Sequence, residues 1–175
     1  MRKIKIILIL ALLANSFSAF AMEIPNLAPY IKSDSIYGKS TYKWFLVDVY
    51  DATLLTDAEK WSMDSSFALS IEYKMNFTAK ELIDKSIEEM ENIKPFAKDQ
   101  KEKYTKYLNE IMPSVKKGER ITSLHIKDKG IKLYHNQRLV GEISDDKFAK
   151  DFLGIWLSEK TSAPDFRKRL LSRKE

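Results

Sequence analysis

Apolar positions recur along this chain with two different periods, and each change of period marks an element. From Ser66 to Met75 the alternation is strict: Phe67, Leu69, Ile71, Tyr73 and Met75 face one way, while Ala68, Ser70, Glu72 and Lys74 face the other. A period of two predicts a half-buried antiparallel strand. Thr41 to Leu55 is rich in aromatic and β-branched residues on both phases, which predicts one central strand covered on both faces. Tyr37-Gly38-Lys39-Ser40, just before it, reads as a turn. Beyond Thr78-Ala79-Lys80-Glu81, a capping box, the period lengthens, and Leu82, Ile83, Ile87, Met90 and Ile93 form a helical stripe. Pro95 ends that helix. A second one, Lys98 to Met112, carries Tyr104, Tyr107, Leu108 and Ile111 on its buried side.

Three short strands follow, at Arg120–Lys127, Ile131–His135 and Arg138–Ile143, separated by turns at Asp128-Lys129-Gly130 and Asn136-Gln137. Ser144-Asp145-Asp146 opens a helix whose stripe is Phe148, Phe152, Ile155 and Trp156, and a last short helix carries Phe166, Leu170 and Leu171. The order predicts an α+β domain, an antiparallel sheet with helices packed on it.

The N-terminus follows a different logic. Met1-Arg2-Lys3-Ile4-Lys5 is a basic n-region, Ile6–Ala14 is apolar, and Ala19-Phe20-Ala21 is an A-x-A cleavage signature. Residues 1–21 are therefore expected to be a secretory signal peptide and 22–175 the mature domain. The uncharged run from Ile6 to Met22 is 17 residues long, marginal against the ~20 a stable span requires, so an uncleaved anchor is the alternative. No later segment is apolar enough to cross a bilayer, and no cysteine is present for a lipid anchor, a disulfide or a thiolate metal site. Removing Arg2, Lys3 and Lys5 leaves 27 basic and 25 acidic residues, a net charge of +2 rather than +5. A general affinity for nucleic acid loses its support on that count.

Candidate chemistry is sparse. His125 and His135 lie on adjacent strands, and a register pairing Ile126 with Ile131 and Leu124 with Leu133 puts them on opposite faces. Without a third ligand, no metal site is expected. Asp48 sits between Val47 and Val49, where a carboxylate either serves as a base or ligand anchor, or lies at a sheet edge or meets a lysine. Tyr42, Trp44 and Tyr50 share a strand face with Leu46. They either line an apolar cleft or fill an aromatic core. Arg167, Lys168, Arg169, Arg173 and Lys174 make a basic C-terminal end, open to a membrane-surface or partner contact or simply suited to a helix C-terminus. No nucleotide fingerprint or nucleophile elbow is present, and no cofactor is implied.

Taken together, four segments resemble the bacterial chalcone isomerase-like family. They are Tyr42–Leu55, then Lys117–Ile121 with Asn136–Ile143, then Phe148–Ser158, and finally Ser162–Leu171, in the family's order and spacing across nearly all of the mature chain. The resemblance implies an open antiparallel sheet with helices over one face and a cleft between them. In the plant enzymes of that fold the cleft closes a flavanone ring, and related non-catalytic members bind fatty acids. The position of the enzymes' key arginine is matched by Tyr42, their strand threonine by Tyr50 and their late hydroxyl residue by Ile155. Their helical tyrosine and asparagine have no counterpart between Thr78 and Met90. A phenolate nucleophile needs a cation to steady it, so chalcone isomerase activity is not expected. The resemblance implies instead an exported, periplasmic, non-catalytic protein that binds an apolar or amphipathic small molecule such as a fatty acid, with Tyr42, Trp44, Asp48 and Tyr50 at the site. An enzyme of unknown reaction in the same cleft, and an interaction module without a pocket, are the alternatives.

Overall fold

A computed structural model describes residues 23–32 and 35–173. The expected signal peptide lies outside them. Six strands form one antiparallel sheet in sequence order: β1 (Ile36–Trp44), β2 (Val47–Leu55), β3 (Phe67–Tyr73), β4 (Arg120–Ile126), β5 (Gly130–His135) and β6 (Arg138–Ile143). Two helices, α1 (Ala79–Ile93) and α2 (Lys98–Ile111), interrupt the meander between β3 and β4, and α3 (Asp146–Leu157) and α4 (Pro164–Leu170) close the chain. This is the expected α+β architecture.

The local signals that start the helices act as read from the sequence. Thr78 accepts from the Glu81 backbone N–H, and the Glu81 carboxylate accepts from the Thr78 N–H, completing the capping box of α1. Asp145 caps α3 by accepting from the Phe148 N–H at 2.9 Å. The helices bury their stripes on one sheet face, where Leu54, Leu69, Ile71, Ile121 and Leu133 meet Ile87, Met90, Leu108, Phe148 and Phe152.

Four strand-level expectations need correction. The Thr41–Leu55 segment is not one strand but a hairpin that turns at Phe45-Leu46, Phe45 taking a left-handed φ of 54°. No Gly, Asn or Asp marks this turn, so the apolar pattern runs through it unbroken. Tyr37–Ser40 is strand, not turn. Gly38 lies in β1 where α4 crosses, and a Cβ there would stand 2.1 Å from the Leu170 carbonyl oxygen.

The β3 strand, expected to be half-buried, is covered on both faces. Its outer phase meets the N-terminal arm, whose Leu27 and Ile31 pack on Leu55, Ala68, Leu124 and Ile126. Each such side chain contributes about 1.5–3 kcal/mol by leaving water, and that burial settles the fourth correction. The β4–β5 register pairs His125 with Ile131 and Ile126 with Gly130, one residue away from the expected pairing. Leu124 and Ile126 turn toward the arm, and both histidines face the helices.

Candidate ligand-binding site

The hairpin separates the residues that the sequence grouped. Tyr42 and Tyr50 are direct cross-strand partners, their rings stacked with centroids 5.0 Å apart. Phe166 of α4 meets both edge-on, and Tyr73 of β3 meets Tyr50. From α3, the Trp156 indole N–H donates to the Tyr50 hydroxyl at 3.0 Å. Burial pushes the Tyr50 phenol far above its ordinary value, so it stays neutral and acts as a hydrogen-bonding group rather than a base. The tyrosine pair is therefore packed into an aromatic cluster whose other members come from α3, α4 and β3. Trp156 is a member that strand periodicity had no means of finding, since it lies 106 residues from Tyr50.

Trp44 and Asp48 lie elsewhere, at the end of the hairpin. Asp48 forms an exposed ion pair with Lys43 at 2.8 Å, the lysine partnership that was one of its two readings. Trp44 is exposed and, among the aromatic rings of the described residues, touches only Phe45.

The two histidines share a face but sit four residues apart along it, ~13 Å at strand rise. Each has its own carboxylate, His125 with Asp146 and His135 with Glu119, and no group of three metal-ligating side chains forms among the described residues.

Two depressions among the described residues bear on ligand binding. The larger, about 980 Å³, runs along β1 and α4 with Tyr42 and Phe166 at one wall. Its floor is polar. Thr41 donates to Asp51 at 2.6 Å, Lys74 bridges Asp51 and Glu72, and Arg120 bonds Glu72 at 2.6 Å. These partners satisfy one another, which makes the groove a poor host for an apolar chain.

The smaller, about 310 Å³, lies where the C-terminal end of α1, Phe96, the middle of α3 and the β2–β3 loop converge. Met63, Met90, Ile93, Phe96 and Leu157 give it an apolar wall, with Lys150, Asp151, Ser158 and Glu159 also lining it. Gly154 gives it depth, since a Cβ added there meets nothing nearer than the Ser158 Cβ at 3.8 Å. Glycine within a helix costs about 1 kcal/mol relative to alanine, so helix stability does not account for it. Trp61, also on the wall, has a buried indole N–H with no hydrogen-bond partner among the described residues. Lys94 and Arg167 lie at the margin. Lys94 makes no ion pair among the described residues, while the Arg167 Nε donates to the Leu157 carbonyl. The sequence reading missed this cleft. Its walls come from a loop, a linker and two helices, and no single period connects them.

Comparison with known proteins bears on the fold. A family profile described as chalcone isomerase-like matches residues 35–172. Among solved structures, a fatty-acid binding protein of Arabidopsis thaliana superposes with a TM-score of 0.60, covering 82% of this chain and 90% of that one at 11% sequence identity. No curated protein matches in sequence.

Proposed function

The chain belongs to the chalcone isomerase-like family, and on that premise we propose that it is a non-catalytic binding protein for a small amphiphile. The ligand has one apolar chain and an acceptor head group such as a carboxylate. The observation that carries this reading is the cleft floored by Gly154. Ligand pockets are mostly apolar with a few placed polar groups, and about 310 Å³ falls at the lower end of their usual ~300–1,000 Å³ range. Methionines at two positions suit a flexible chain of variable length. The Trp61 N–H and the Lys94 ammonium supply donors for the head group. The fold shared with a fatty-acid binding protein supports the same ligand class.

Native mass spectrometry with dodecanoate tests the proposal. A one-to-one complex is expected, and Gly154→Leu, which extends a side chain into the cleft, is expected to weaken it at least ~10-fold with the fold intact. No complex, or equal binding by Gly154→Leu, would refute it.

The proposal places this protein in the periplasm, on the strength of its basic n-region, apolar run and A-x-A site. N-terminal sequencing of the protein from the cell envelope is expected to start at Met22. A start at Met1 would show an uncleaved leader.

A further inference from the structure

The Phe45-Leu46 turn is built against the demands of folding. Relative exposures are 68% for Trp44, 86% for Phe45, 96% for Leu46 and 54% for Val47, so these side chains contribute little burial. Phe45 also holds a left-handed backbone, which favours Gly, Asn or Asp. Among the described residues, the other non-glycine positions with positive φ are Asp128 and Asn136, both of the expected kind and both in turns of the same sheet. Folding alone therefore accounts for those two turns but not for a phenylalanine at this one.

The surroundings point to an occupant. The last β2–β3 pair is Tyr50 with Tyr73 and the Lys74 N–H still donates to the Val49 carbonyl, so the hairpin runs on for two residues and its turn, ~7 Å beyond the sheet. The same end of the sheet carries the exposed Met75 and Leu139. It also carries Lys43, Lys117 and Arg138. Lys43 is held by Asp48, whereas Lys117 and Arg138 make no ion pair among the described residues. A stable protein interface takes about 800 Å² from each partner, well beyond what a two-residue turn and its flanks offer on one side. A bilayer surrounds such a wedge completely. Tryptophan and phenylalanine suit its interface, amphipathic elements enter it by about 5–10 Å, and the lysines and arginine complement anionic head groups.

We propose that the Trp44–Val47 hairpin tip inserts into the interface of an anionic lipid bilayer, docking the domain with the open end of its sheet toward the membrane. The amphiphile cleft lies at the other end of the sheet, near the β2–β3 loop, so this proposal stands independently of the ligand.

Fluorescence of the full chain tests it, with vesicles of phosphatidylethanolamine and phosphatidylglycerol as the probe. Subtracting the spectrum of Trp44→Phe isolates Trp44 from Trp61 and Trp156. Its emission is expected to shift to the blue on adding vesicles and to be quenched by bromine-labelled acyl chains. The double variant Phe45→Asp, Leu46→Asp loses no buried contact and is expected to fold. It should need at least ~100-fold more lipid for the same shift, about tenfold for each large apolar side chain withdrawn. Three outcomes overturn the proposal. The Trp44 emission stays unchanged by vesicles, the shift persists in the double variant, or it appears on raising protein concentration without lipid. The last would assign the tip to a second copy of the chain.

Discussion

Gly130→Ala is expected to destabilise the domain by about 3–5 kcal/mol, enough to exhaust much of the stability of a domain this size. Gly130 has a φ of +133°, a region that side-chain-bearing residues rarely adopt. A Cβ there would stand 2.1 Å from the Ile143 carbonyl oxygen and 2.8 Å from the Asp145 N–H. Both are backbone atoms, and both lie where β6 hands over to the N-cap of α3. Relief would require moving the strand end and the helix start together. Gly118→Ala provides the control. Its φ is +89°, but no atom lies within 4 Å of the added carbon, so only the backbone cost of about 1 kcal/mol applies. Urea denaturation of the two variants separates these effects. Equal losses would show that the close approach at Gly130 is relieved without cost.

His125→Ala is expected to cost a further large amount, about 3–5 kcal/mol at neutral pH. His125 is fully buried against the Phe67 ring, with Nδ1 2.8 Å from the Ser65 carbonyl and Nε2 2.8 Å from an Asp146 carboxylate oxygen. Both partners are acceptors, and the ring spans them. Truncation strands both acceptors and opens a cavity. Burial raises the Asp146 carboxyl, but hydrogen bonds from His125 and Lys150 outweigh it and hold the group below the usual carboxylate range.

A value lowered on folding gives stability that is present above the unfolded-state value and lost as pH falls through the folded one. Asp51, Glu89 and Asp145 are lowered as well, so the whole acid limb slopes the same way. Asp146→Asn isolates the pair. Its stability is expected to fall less steeply than the wild type's on titration from neutral pH into the carboxylate range. Parallel curves would mean that the pair adds nothing to the acid sensitivity.

Both groups bear on how much the chain discloses before it folds. Gly130 was legible as a turn residue, because turn chemistry is local. Its close approach to Ile143 depends on how β6 returns. His125 was legible as a strand histidine but was expected on the face opposite His135, and the two share one. The expected register simply paired apolar with apolar across β4 and β5. The N-terminal arm dries the second face, which frees the register to shift by one residue and brings the two histidines to one face.

The candidate site followed the same division. Tyr42 and Tyr50 were recognised as residues of one apolar face, and they do meet. What fills the space around them, Trp156 and Phe166, arrives from helices more than a hundred residues away. The Gly154 cleft had no signature at all, because a glycine in a helix records only the absence of a side chain.

Short-range physics was thus enough to set the helix starts at Thr78 and Asp145, the turn at Asn136-Gln137, the α+β class and the family pattern. Caps, turns and periodicity involve residues within about one turn or one strand of each other, so they are written locally. Packing between distant segments decided the rest: the hairpin at Phe45-Leu46, the two-sided burial of β3, the facing of His125, and the place left open beside Gly154. Those outcomes depend on which surfaces meet and on the volume that remains between them, quantities no single segment contains.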